Sequence, residues 1–166
     1  MTSRPRPLVV DGQGIDMRPF SRSLPMALLK AREATMRLFR PLLAEHDLTE
    51  QQWRVLRALA AASTPLSVGE LADHTFLLAP SLSRILSNLE GRLLIERQVA
   101  EHDQRRSHIA LSKQGRDLVQ QIAPQSEALY NRIEQHFGFA RLDDLLGELN
   151  QLASLDAGEE TIEQAS

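Results

Sequence analysis

Between Ser67 and Gly115 the chain reads as two short helices joined by a tight turn and followed by a β-hairpin. Leucine and alanine dominate its apolar residues, and only 4% of the chain is aromatic. The helices flanking this stretch are apolar over more than one face, more than a lone module of this kind would bury. Together these features predict a mostly α (α+β) fold, a winged helix-turn-helix with terminal helices forming a dimerisation domain.

The 166 residues, 42% hydrophobic and 25% charged, fit one domain over residues 23–155. Within it, residues 23–48 and 114–155 are expected to be dimerisation helices and 49–113 the winged module. Residues 1–22 carry Pro5, Pro7 and Pro19 without a helical period and are expected to form a flexible arm, and 156–166 a disordered acidic tail. The arm contains Arg4, Arg6, Arg18 and Arg22, so it could follow a DNA minor groove or simply be solvated.

From Leu24 to about Glu45, the residues Leu24, Leu28, Ala31, Thr35, Leu38, Phe39 and Leu42 form a helical stripe, in which Pro41 should introduce a kink or an early end. A second helix starts at Thr49-Glu50-Gln51-Gln52, a capping-box pattern, and stops at Ser63-Thr64-Pro65. Ser67-Val68-Gly69-Glu70 is another capping box and opens the third. The fourth begins at Pro80, and Gly91 past its last turn is expected to be its left-handed C-terminal residue. A hairpin follows from Leu93-Leu94-Ile95. Ile95 and Val99 are read as facing one way against Arg97, and Ile109 and Leu111 answer them. Ser112-Lys113-Gln114-Gly115 opens a long helix with Pro124 inside it, and a last helix covers about Ala140 to Leu155.

On the fourth helix Leu82, Ile85, Leu86 and Leu89 must face the core, which leaves Ser81, Ser83, Arg84, Ser87 and Asn88 outside. Short hydroxyls permit close approach to base edges, Arg84 can bond guanine bidentately, and Asn88 can do the same to adenine. Such a face suits the major groove of double-stranded DNA. At the hairpin tip, Glu101 to Arg106, an Asp two residues before an Arg can aim the guanidinium by a charge-assisted pair. Arg105 is therefore expected to enter a narrow minor groove, with Asp103 orienting it and Arg106 on a phosphate.

Charge limits this reading. The net charge of −3 argues against a protein that coats nucleic acid indiscriminately, and Ser67–Lys113 holds six Lys plus Arg against six Asp plus Glu. Placement of a few arginines, not net charge, must supply the contacts. A winged-helix protein-interaction module that binds no DNA is the alternative, and substituting Arg105 separates the two.

These residues resemble a known family. Thr49–Leu56, the Pro80-Ser81-Leu82-Ser83 helix start, Asp103-Gln104-Arg105-Arg106 and Leu111–Gly115 are similar to the MarR family of bacterial transcriptional regulators. Ala31-Arg32-Glu33-Ala34 with Phe39-Arg40-Pro41 is similar to its subgroup that represses homoprotocatechuate degradation operons. The family usually has Gly-Leu at the start of the wing, where this chain has Leu93-Leu94. The resemblance implies a homodimer that reads a pseudo-palindromic operator and is released by a phenolic or aromatic carboxylate effector, controlling aromatic-compound catabolism.

Arg32 borders the apolar stripe and needs a partner there. A carboxylate of the protein can supply it, or a ligand carboxylate can, with Phe39 and Trp53 offering surfaces for an aromatic ring. No cofactor, metal or enzymatic activity is expected. The chain has no cysteine, and its five histidines show no i, i+4 pair. No apolar run approaches a membrane span and Leu8-Val9-Val10 is too short for a signal core, so a cytoplasmic protein is expected.

Overall fold

The computed structural model describes residues 19–100 and 103–155, and the side chains of residues 99–107 lie outside that description. Most of the expected arm and all of the acidic tail thus fall outside the described residues. Of the arm's end, Phe20–Arg22 form a 3-10 turn leading straight into the first helix. The chain divides into two compact units, Met1–Ser126 and Glu127–Ser166.

Unit one begins with α1, Leu24–Ala44, which runs through Pro41 rather than ending early. Its apolar stripe is only half covered. Phe39, Leu42 and Leu43 are buried, whereas Leu24, Leu28 and Leu29 remain exposed. The second helix, α2 (Glu50–Ala61), is started by the expected capping box. Gln52 N–H donates to Thr49 Oγ1 at 3.2 Å and Thr49 N–H to Gln52 Oε1 at 2.8 Å. Its Trp53, Val55, Leu56 and Leu59 form the centre of the core. Each such side chain contributes about 1.5–3 kcal/mol by leaving water.

The helix-turn-helix pair is α3 (Val68–Thr75) and α4 (Ala79–Gly91). Ser67 and Glu70 close the capping box of α3, while Pro80 sits second in α4, after Ala79. Leu82, Ile85, Leu86 and Leu89 are buried, as the helical period requires. Gly91, however, is still helical and is not the left-handed residue. That role belongs to Leu93, with φ of 58°. Leu94 N–H reaches Leu89 O and Leu93 N–H reaches Glu90 O, both at 2.9 Å, which is the pair of bonds of a Schellman turn. Those two bonds require a left-handed residue two places beyond Gly91, so Leu93 adopts a conformation that glycine would take more cheaply.

Three antiparallel strands make the wing: β1 (Leu66–Ser67), β2 (Ile95–Ala100) and β3 (Asp103–Leu111), in the order β1-β3-β2. The two-residue β1 carries no period by which a sequence could betray it. Pairing of Ile95 with Leu111 and Arg97 with Ile109 puts Ile95 and Arg97 on one face of β2, correcting the expected opposition; a strand period of two allows nothing else. Asp103 pairs with Ala100, so Asp103–Arg106 belong to β3 rather than to a loop. The register shifts there, from Val99 opposite Ser107 to Ala100 opposite Asp103, so residues 104–106 bulge from the ladder and only residues 101 and 102 lie between the strands.

After the wing comes α5, Lys113–Phe137, with Pro124 inside it. Its start is held close to the start of β2. Ser112 N–H donates to Leu94 O at 3.2 Å, Ser112 Oγ donates to Leu93 O at 2.6 Å, and Gly115 N–H donates to Ser112 Oγ at 2.9 Å. Unit two ends with α6, Phe139–Ala153, on which Leu145 and Leu146 are exposed.

Candidate nucleic-acid interface and charged cluster

The outer face of α4 carries Ser81, Ser83, Arg84, Ser87 and Asn88, all exposed, opposite the buried leucine and isoleucine stripe. Of the four cations between Ser67 and Lys113 whose side chains are described, three are engaged within the protein. Arg92 donates to the backbone carbonyls of Asp47 and His46, Arg97 pairs with Glu90 at 2.9 Å, and Lys113 pairs with Asp117 at 2.7 Å. Their charge braces the fold. Arg84 is the exposed cation on the helix face itself, while Arg105 and Arg106 lie in β3 with side chains outside the described residues, as is that of Asp103.

Asn88 is not free on this face. Its Oδ1 accepts from Gln52 Nε2 at 2.7 Å, which ties the reader helix to the first turn of α2. Sequence periodicity places Asn88 outside but cannot reveal a partner 36 residues away. The capping-box pattern at Thr49 is the available signal, since it fixes where the Gln52 amide must lie.

Arg32 has protein partners, the first of the two alternatives that its position leaves open. Arg32 Nη2 lies 2.5 Å from Glu50 Oε2 and Nη1 lies 2.9 Å from Glu33 Oε1. Arg40 completes the ring, with Nε 2.5 Å from Glu50 Oε1 and Nη2 2.6 Å from Glu33 Oε2. The hydrogen bond from Arg40, helped by the charges of Arg40, Arg32 and Arg37 and opposed by burial, holds the Glu33 carboxyl below its usual range. Glu33 and then Glu50 raise the Arg40 guanidinium in return. Glu50 and Arg40 escape a search for ligand residues because each looks like an ordinary helix-surface charge. Glu50 is the first residue of α2, where the helix N-terminus favours a carboxylate.

Phe39 and Trp53 are both buried, at 5% and 6% exposure. A groove of about 400 Å³ opens elsewhere in this unit, between Leu59, Pro65, Ile109, Leu111, Arg116 and Val119, and contains none of Arg32, Phe39 and Trp53. Among the described residues no group of three or more His, Asp or Glu is placed to hold a metal ion, and no helix is long and apolar enough to cross a membrane.

A core of three helices, an exposed polar face on the second helix of the helix-turn-helix pair and an antiparallel wing define a winged helix-turn-helix transcriptional regulator. Residues 46–106 match the model of the MarR family. The chain is 40% identical over 133 residues to the homoprotocatechuate degradative operon repressor of Escherichia coli, covering 80% of this chain and 89% of that one. It belongs to the MarR family. Among solved structures, NadR in complex with 4-hydroxyphenylacetate is 34% identical with a TM-score of 0.74, covering 86% of this chain and all of that one. The transcriptional repressor CouR bound to a 23-mer DNA duplex is 28% identical with a TM-score of 0.73, covering 80% of this chain and 94% of that one.

Proposed function

We propose that this chain is a cytoplasmic, homodimeric repressor without enzymatic activity, which binds a pseudo-palindromic operator and is released by a phenolic or aromatic carboxylate. Its regulon would be a route of aromatic-compound catabolism. The observation that carries the reading is the exposed Ser81–Ser83–Arg84–Ser87–Asn88 face of α4, standing opposite a fully buried apolar stripe. The DNA-bound CouR neighbour and the repressor relative support the same use of that face.

In this reading α4 enters the major groove, Arg105 enters the minor groove with Asp103 aiming it, and Arg106 neutralises a phosphate. Residues 23–48 and 114–155 clasp the partner subunit. The uncovered Leu24, Leu28 and Leu29 of α1 favour this, because a second copy would remove them from water. Two-fold symmetry then sets the reader helices about 34–36 Å apart, one DNA turn.

Effector chemistry centres on Arg32, with Phe39 and Trp53 backing it. An aromatic carboxylate competes with Glu50 for the Arg32 guanidinium, and Glu50 stands on the same helical turn as Gln52, which holds Asn88. Displacing Glu50 therefore perturbs the reader helix through α2. The 4-hydroxyphenylacetate of the NadR neighbour has the required chemistry.

Binding to a labelled pseudo-palindromic duplex, followed by fluorescence anisotropy, tests the proposal. Operator binding should fall steeply with salt, fall on adding 4-hydroxyphenylacetate, and vanish in Arg105→Ala without loss of the dimer. Undiminished binding by that variant would refute it.

A further inference from the structure

The hydrogen bonds around Gln52 determine which way round the Asn88 amide sits. A backbone N–H can only donate, so the 2.8 Å bond from Thr49 N–H fixes Oε1 of Gln52 as the acceptor end of that amide. Nε2 of Gln52 is then the donor end, and the group it meets at 2.7 Å must accept. That group is Oδ1 of Asn88. Because the two polar atoms of an amide diverge from one carbon, occupying Oδ1 on the protein side turns Nδ2 and its two hydrogens outward.

We infer that Gln52 is a specificity-determining residue: through the capping box it holds Asn88 Oδ1 on the protein side and turns the Nδ2 donor end outward, so that Asn88 reads an acceptor edge in the major groove. The inference rests on the operator-binding reading above and deepens it. Guanine offers N7 and O6, adenine N7 and thymine O4, whereas cytosine offers only an amino group at that edge. The paired donor and acceptor that adenine asks of an asparagine, the pairing expected from sequence, is not what this amide presents. Asn88 shares a helical stripe with Ser81 and Arg84, at steps of three and four residues, so its outward hydrogens lie on the same face as the arginine.

The substitution Gln52→Glu separates this role from folding. A carboxylate at the third position of a helix still closes a capping box, and it can only accept. Asn88 would then turn over, donate its amide hydrogens to that carboxylate and present Oδ1 to the groove. The experiment selects bound sequences from a duplex library randomised across a pseudo-palindrome, using wild type, Asn88→Ala and Gln52→Glu, with circular dichroism to verify that each is folded. Asn88→Ala should flatten the preference at one position in each half-site and so locate the contact. At that position wild type should disfavour cytosine, and Gln52→Glu should shift the preference toward cytosine by about fivefold or more, the low end of what a direct base contact discriminates. An unchanged profile in Gln52→Glu, or a loss of affinity uniform over all sequences, overturns the inference while leaving the repressor reading intact. A wild-type protein that enriches no sequence overturns that reading, and this one with it.

Discussion

Gly115 gives the sharpest stability prediction. A Cβ built there would lie 1.9 Å from the carbonyl oxygen of Leu94, 2.9 Å from its carbon and 3.3 Å from Leu111 Cδ2. The obstacle is backbone, and that backbone is anchored: Leu94 N–H is bonded to Leu89 O, and Leu94 O accepts from Ser112 N–H. Relief requires the start of α5 and the start of β2 to separate by more than an ångström. Overpacking of this kind costs about 1–3 kcal/mol, and the strained Ser112–Leu94 hydrogen bond is worth about 1 kcal/mol more. Alanine returns at most about 1 kcal/mol in helix propensity. Gly115→Ala should therefore lose about 1–3 kcal/mol in urea unfolding followed by far-UV circular dichroism, at fixed protein concentration. Gly91→Ala is the matched control, because no atom lies within 4 Å of the Cβ it would gain and its φ is ordinary. It should be neutral or stabilising by up to about 1 kcal/mol. If both variants move stability in the same direction, close approach is not what position 115 requires and the reasoning fails.

Three further outcomes follow from the same geometry. Leu93→Gly should raise stability by about 1 kcal/mol, because it relieves a left-handed leucine whose side chain is 67% exposed, and a lower denaturation midpoint would refute it. Arg84→Ala should cost operator binding about 1–3 kcal/mol if it reads a base, with the loss concentrated on the sequences that wild type prefers in competition assays. Glu70 has its carboxyl held low by the Ser67 side chain and then by the Ser67 backbone N–H, against burial. A lowered folded-state pKa contributes stability above the unfolded value of about 4.3 and loses it as pH falls through the folded value. The stability gap between wild type and Glu70→Gln should accordingly close on acidification below that range, and a gap unchanged down to strongly acid pH would count against the capping role.

Periodicity and capping chemistry make the helices legible, since Leu82, Ile85, Leu86 and Leu89 are spaced for one buried face and Thr49 and Ser67 carry their capping partners three residues on. What escapes depends on pairing across the chain. β1 is two residues long and exists only because β3 passes beside it. Residue preference points to Gly91 for the left-handed turn after α4, yet the two hydrogen bonds that close the turn select Leu93 by position. The outer face of α4 is readable as a list of residues, but the orientation of Asn88 is not, because its determinant sits on another helix. Arg32 is recognisable as a charge in need of a partner. Only the folded chain brings Glu50 and Arg40 beside it.

The order of strands in the wing has a consequence for how copies of this protein can meet. Among the described residues β2 pairs only with β3, which leaves its other edge without a strand there, a row of backbone groups able to template a further one. That edge strand carries Glu96, Arg97 and Gln98 in succession, all exposed, and is only six residues long. A second copy adding itself there would have to strip water from charged side chains along the seam, which is how natural sheets avoid growing into fibrils. The wing is thus protected against self-assembly by the strand that does not carry its arginine pair, leaving β3 to be specialised for another purpose.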